Sequence, residues 1–491
     1  MDKQKKISLT SFILMIFTTI FGFANTPVAF IQMGYASIIW YVLAAFFFFL
    51  PTALMFAEYG SALNESKGGI YSWLAESIGP KLAFMGTFIW LFSWIVWMVS
   101  IASKVWIPLS TIFAGSDQTQ SWAIFGLSST QTIGILAILW IVMVTFVASR
   151  GISSIAKISS IGGIAILGLN ALFLILSVVI LIVNHGALQE PWHGMTSIIT
   201  SRNPSYQSPI ALVSFIVFAI FAYGGMESVS GVTDSIKNPK KNFPKGLIVS
   251  TLLILFAYSI SIFFWGVSTN WSKLGGQNAN LGNISYVLME NLGNFAGQSF
   301  GMSASASTIF GHTLARITGL SMFMAYTGAF FVLIYSPLKS FILGTPKEIW
   351  TPRMTKLNKH NIPEFAMWVQ AIVVIVIIMA VSFGGSNSTL FYSKLTLMGN
   401  ISTSVPYLFL IGAFPFFKKR QDLNRPFEVY KNKTMTNVIT IFVWLVLAFG
   451  IIFTVISDSL SNALWMVAGP VISGLVAFLY YSRYERKLKN K

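Results

Sequence analysis

The sequence predicts an all-α membrane protein of about twelve transmembrane helices. Three observations carry that reading. The 491 residues are 55% hydrophobic and only 10% charged, with a mean hydropathy of +0.72. A soluble domain carries roughly 25% charge and could not cover a surface with so little. The apolar residues come in continuous runs long enough to span a bilayer as helices, about 20 residues each. A membrane β-barrel would show short alternating segments instead. Finally, the cationic residues fall almost entirely on alternate connections between those runs.

The runs place helices near 7–33, 36–63, 82–113, 131–149, 152–183 and 209–235. Six more fall near 245–268, 307–343, 364–383, 389–416, 436–457 and 462–482. The first run follows the short basic segment 1–6. It is too long for a signal-peptide core and lacks a small-residue cleavage site, so it is expected to be a retained helix. Residues 184–208, 269–306, 344–363 and 417–435 are the longest stretches left irregular. No soluble domain is expected, and residues 1–491 form one transmembrane unit. Within it, helices 1–5 occupy about 7–183, helices 6–10 about 209–416 and helices 11–12 about 436–482.

The net charge of +17 would suit a nucleic-acid binder if it were clustered. It is instead topological. Taking the termini and the even-numbered connections as one side collects 27 of the 32 Lys and Arg residues. The positive-inside bias makes that side cytoplasmic, with both termini on it. A cell-membrane protein with an affinity for anionic lipid, and no nucleic-acid partner, is the expectation.

Two helices differ from the rest. The first contains Gly22-Phe23-Ala24-Asn25-Thr26-Pro27. The sixth contains Phe221-Ala222-Tyr223-Gly224-Gly225-Met226-Glu227. Pro27 lacks a backbone N–H and disfavours a helical Thr26. Gly224-Gly225 leaves the helical conformation at little steric cost. Backbone groups freed at membrane depth must line a cavity or be satisfied by neighbours. The breaks lie five helices apart. Five is odd, so the second unit enters from the opposite side, as in an inverted repeat, and paired broken helices point to a midplane binding site. Half-helix N-termini offer N–H groups to a carboxylate, and C-termini offer carbonyls to an amine.

Glu227 is the sharpest single residue. An intramembrane carboxylate is costly unless paired or watered, which makes it a coupling or gating candidate. Its structural alternative is to accept hydrogen bonds from amides freed at the first break. Glu58, Lys157 and Asp234 lie toward the cytoplasmic ends of helices 2, 5 and 6 and are candidates for an inner-gate ion network. Snorkelling is the competing role for Lys157. Trp90, Trp94 and Trp97 recur at helical spacing, and packing or lipid contact is expected of them ahead of a substrate cage. The segment Gly68-Gly69-Ile70-Tyr71-Ser72-Trp73 reads as a tight cytoplasmic turn or a gate element.

Conventional catalytic patterns are missing. There is no cysteine, and the histidines (His185, His193, His312, His360) are scattered. No Walker A, Rossmann or zinc-ligand pattern occurs. No metal, cofactor or enzymatic activity is therefore expected.

Three motifs carry a resemblance over nearly the whole chain. They are Glu58-Tyr59-Gly60, the Gly68 to Trp73 segment, and Phe221 to Glu227 followed by Asn238-Pro239 and Pro244. Together they resemble the amino acid–polyamine–organocation superfamily, and within it the chain looks like the glutamate:GABA antiporter branch. The resemblance implies a LeuT-like fold: a five-plus-five inverted repeat with broken helices 1 and 6, plus two added helices. It implies amino acid transport by alternating access. By position, Gly22, Phe23, Ala24, Asn25 and Thr26 would take the substrate carboxylate. Tyr223, Gly224 and Gly225 would border the amine, with Phe221 as an aromatic gate.

The chain departs from the family pattern in three places. Gly22-Phe23-Ala24 replaces a usual Gly-Ser-Gly. The tail past the last helix is about ten residues, too short for the inner-mouth plug of the acid-resistance exchanger. Residues 164–169 are apolar where some proton-coupled relatives carry a lysine. The expected function is an amino acid exchanger. A proton-coupled symporter is the alternative, and a channel or membrane sensor lies further away.

Overall fold

The computed structural model describes residues 6–272, 282–385 and 388–490. The fold is all-helical, and the described residues contain no strand, only an isolated parallel bridge between Ile7 and Ile236. Eleven helical stretches among them are long and apolar enough to cross a membrane. The first stretch, Leu9–Ala62, has 54 residues. At 1.5 Å per residue it is roughly 80 Å long, well over twice a hydrocarbon core of about 30 Å. It is two spans. Gly34, with φ of +62°, turns the chain between them.

Local contacts confirm the reversal. Ile7 exchanges backbone hydrogen bonds with Ser235 and Lys237 at one face. Met33 and Gln32, at the far end of the first span, accept from Ser201 and Asn203. The second span then returns. Glu58, near its end, meets Lys418 and the amide of Val429 beside the connection between spans ten and eleven. The termini and the basic connections share one face.

Spans one and six are interrupted. Span one consists of Leu9–Ile20 and Asn25–Met33. Phe21 caps its first half in an extended conformation. Pro27 proves to be the third residue of the second half and not part of the break. The first turn has no use for its missing N–H, so proline starts that half-helix at no hydrogen-bond cost. Span six consists of Pro209–Ala222 and the 3-10 helix Met226–Ser235, joined through Gly225 at φ of +113°. Span two carries a π-helical turn at Ala45–Phe49 between Ser37–Ala44 and Leu50–Ala62.

The remaining spans are Pro80–Lys104, Ser129–Ala148, Ile152–Val183, Pro239–Ser268, Ala304–Gly344, Glu364–Phe383, Ser388–Lys418, Lys433–Ile456 and Leu460–Lys489. They are the third, fourth, fifth and seventh through twelfth. The order reproduces the five-plus-five arrangement with two spans added.

Besides the short turns Met195–Ile199 and Pro352–Thr355, two longer helices stand where irregular chain or a turn was expected. Ile284–Ser299 packs along the start of span eight. A side chain at Gly293 or Gly297 would collide with Gly311 or Ser307 there. Its Asn, Glu and Gln residues lower its hydropathy, which hid it from a search for apolar runs. Ile70–Ile78 is a short helix after the Gly68-Gly69 turn. Large apolar side chains lie exposed on the outer faces of spans five, eleven and twelve, among them Ile164, Ile182, Ile441, Ile452, Leu475 and Leu479. Continuous exposed apolar surface of that extent is lipid-facing.

Candidate functional site

The two breaks face one another across a cavity of about 530 Å³ at mid-membrane. Gly22, Ala24, Asn25, Phe221, Gly224 and Gly225 all border it. So do parts of spans three, five, eight and ten.

One hydroxyl ties the breaks together. Tyr258, on span seven, accepts from the Gly22 N–H and the Asn25 side-chain amide, each at 3.0 Å. It stands 3.1 Å from the carbonyls of both Ile20 and Ala222. A tyrosine hydroxyl has one proton and two lone pairs. It therefore accepts twice and shares its proton between the two carbonyls, one from each break. The carbonyls that lose their helical partners at the ends of Leu9–Ile20 and Pro209–Ala222 are satisfied by the same oxygen.

Not every freed group is satisfied. Among the described residues, the N–H groups of Phe23 and Ala24 make no hydrogen bond. Neither does the Thr19 carbonyl. An added Cβ at Gly225 would stand 3.5 Å from that carbonyl, so it borders the sixth-span break. The cavity thus presents free donors from one half-helix and a free acceptor from the other.

Glu227 is buried and fully engaged. Trp90 donates its indole N–H to Oε1 at 3.0 Å, and the Tyr407 hydroxyl donates to Oε2. The Tyr407 oxygen in turn accepts from the Gly225 N–H at 2.9 Å. Both side-chain partners come from spans three and ten. Glu227 does not receive the first-break amides; it clamps the sixth-span break to the surrounding scaffold.

Several expected site residues point elsewhere. The Phe23 ring is buried between Phe173 and Trp265. Only its backbone belongs to the break, so its bulk does not fill the cavity. Thr26 accepts from the Trp265 indole at 3.0 Å and donates to the Phe23 carbonyl at 3.1 Å, away from the cavity. Tyr223 stacks on Phe49, and its hydroxyl donates to the Tyr41 carbonyl. Aromatic packing against span two draws it outward from the break.

Two of the three tryptophans expected to pack or face lipid line the cavity instead: Trp94 and Trp97. The third, Trp90, holds Glu227. The signal for them was the residue type itself, a tryptophan run with N–H groups needing partners.

The layer between the cavity and the basic face is closed. Asp234 and Lys339 form an ion pair at 2.6 Å. Ser230 accepts from the Ile70 N–H, and Ser336 from the Gly231 N–H. A methyl group at Gly69, Gly231 or Gly344 would collide with Ser340, Ser336 or Gly68 respectively. The Gly68-Gly69 turn is therefore part of the seal. Deeper toward that face, Glu58 pairs with Lys418 at 3.0 Å, and Lys418 also reaches Glu428 at 3.0 Å. Glu58 accepts from the Val429 N–H as well.

The expected Glu58, Lys157 and Asp234 network is thus two separate clusters. Lys157 is exposed, and no ion pair among the described residues includes it. A lysine on a long apolar span extends to the interface with less loss of hydration than burial would bring.

Comparison with known proteins agrees with this architecture. The amino acid permease family model matches residues 7–478. The chain is 50% identical over 490 residues to the inner membrane transporter YjeM of Salmonella typhimurium, covering 99% of this chain and 97% of the relative. It is 50% identical over 493 residues to the Escherichia coli K12 protein of the same name, covering 99% and 98%. It is 21% identical over 497 residues to a glutamate/gamma-aminobutyrate antiporter of Lactococcus lactis, covering 99% and 92%. The chain belongs to the amino acid permease family, in the amino acid–polyamine–organocation superfamily, and is a multi-pass inner-membrane amino acid transporter.

Proposed function

We propose that the protein exchanges amino acids across the membrane by alternating access. The observation that carries this is a midplane cavity, bordered by two broken helices and sealed toward the basic face. A carrier needs a site reachable from one side at a time; a channel needs a continuous path. The free N–H groups of Phe23 and Ala24, at the positive end of the Asn25–Met33 half-helix, suit a substrate carboxylate. The free Thr19 carbonyl suits the ammonium. Phe221 stands on the cavity wall as the gate candidate, and Glu227 couples the sixth-span break to spans three and ten.

Exchange is favoured over proton symport by the wall itself. Span five contributes Ile166 to the lining, and no amine. The one carboxylate on the lining among the described residues, Glu227, already has a partner for each oxygen. An exchanger needs no titrating group, because the bound substrate's differential affinity drives reorientation. The surplus of cationic residues on the terminus-bearing face supports a cytoplasmic location for that face.

Counterflow in proteoliposomes preloaded with an amino acid mixture tests exchange directly. Uptake of an external labelled amino acid should require a loaded interior. Concentrative uptake into empty vesicles under an imposed proton gradient, abolished by a protonophore, would overturn exchange and make Glu227 the proton site.

A further inference from the structure

We infer that the substrate carries a large, uncharged, apolar or aromatic side chain; this rests on the amino acid transport reading above. The inference comes from what the cavity wall offers beyond the two breaks. Its remaining surface is built largely of rings: Phe48, Trp94, Trp97, Phe218, Phe221 and Tyr326. Met322, Ile101, Ile166 and Leu333 fill between them.

Among the described residues, no Lys, Arg or His borders the cavity. An acidic side chain would enter this wall without a counter-charge. Burying a carboxylate so costs several kcal/mol unless cations or several donors meet it. The neutral side-chain donors are hydroxyls, an amide and indoles, with Ser404 and Tyr326 among the hydroxyls. Asn25 already donates its amide to Tyr258, and the Thr19 hydroxyl donates to the Met15 carbonyl of its own helix at 2.7 Å. Trp94 is the lining side chain with a buried N–H lacking a partner among the described residues. An indole N–H and scattered hydroxyls do not replace a guanidinium or an ammonium.

A cationic side chain fares no better. Among the described residues the only carboxylate on the lining is Glu227, and Trp90 and Tyr407 occupy its two oxygens. Admitting a lysine-like group would require dismantling that clamp. A ring-lined wall instead rewards apolar area removed from water. The volume of about 530 Å³ lies within the range that encloses a small organic ligand.

The conclusion separates this protein from its more distant relatives. The 21%-identical antiporter is named for glutamate and gamma-aminobutyrate, and a 22%-identical permease for aspartate and glutamate. Among the described residues, the cavity here has no side-chain cation for the second carboxylate of glutamate or aspartate.

The test is homo-exchange in proteoliposomes of the wild-type protein. Separate batches are loaded with leucine, phenylalanine, glutamate or lysine, each challenged with its own labelled form outside. Leucine or phenylalanine should exchange at least about tenfold faster than glutamate or lysine, the penalty expected for a lone buried charge. Glutamate or lysine exchanging as fast as the apolar pair would overturn the inference and leave amino acid exchange standing. If none of the four exchanges, and none of the other common amino acids does so in the same format, both readings fall.

Discussion

The Tyr258 hydroxyl oxygen lies 3.0 Å from the Gly22 amide nitrogen, although 236 residues separate them in the chain. The same oxygen reaches the Ala222 carbonyl of the opposite break. Phenylalanine at 258 would keep the ring packing against Phe21 and Tyr41 and remove only this junction. It would strand four polar groups, each costing about 1–3 kcal/mol if left unpaired. Tyr258→Phe is expected to insert and purify normally while losing at least about tenfold in counterflow rate. Wild-type counterflow in this variant would show that the junction is dispensable.

Glu227→Gln tests the clamp. Trp90 and Tyr407 both donate to the carboxylate, so both partners require acceptors. Glutamine supplies one acceptor oxygen and turns an N–H₂ toward the other donor. Most transport should be lost with insertion unchanged, and the loss should hold across pH. Wild-type rates at every pH would mean that neither the charge nor the second acceptor matters.

The seal toward the basic face rests on Asp234 and Lys339, with Glu58 and Lys418 in a second cluster. A double-mutant cycle on transport using Asp234→Asn and Lys339→Met should be non-additive by about 0.5–3 kcal/mol. The same cycle between Asp234→Asn and Lys157→Gln should be additive. Additivity in the first cycle would remove the pair from the gate.

Orientation can be checked without background labelling, since the chain has no cysteine. Single cysteines at Ser116 and Asn203 should react with a membrane-impermeant maleimide in intact cells. Those at Asn238, Asn358 and Asn432 should react only after permeabilisation. The reverse pattern would invert the topology. Asn278, which the charge pattern also assigns to the outside, lies outside the described residues.

Much of the fold was legible because lipid simplifies the code. A span must be long and apolar, and a break must be marked by glycine, proline or a polar residue. Gly22, Gly224, Gly225 and Glu227 were visible for that reason. Tyr258 was not. One tyrosine in an apolar helix carries no local sign that its hydroxyl meets two distant carbonyls. Thr26 and Tyr223 sit in the broken segments but turn away, because a break fixes where the backbone opens and not which side chains follow it. The partners of Glu58 and Asp234 were missed for a related reason. Lys418 and Lys339 lie 360 and 105 residues away, and only the packed bundle brings them near.

The glycine contacts of the seal have a mechanical consequence. At Gly68, Gly69, Gly231 and Gly344, backbone meets backbone or a serine with no side chain between. Such a latch has only short serine side chains to rearrange when it parts, so closing it orders little beyond the backbone already held by the helices. It also has no slack. A methyl group at any of these positions acts as a wedge, and a displacement of about one methyl width is enough to break the fit. A latch of that kind is either shut or open, which is the property that the alternating access proposed above would require of a door on this face.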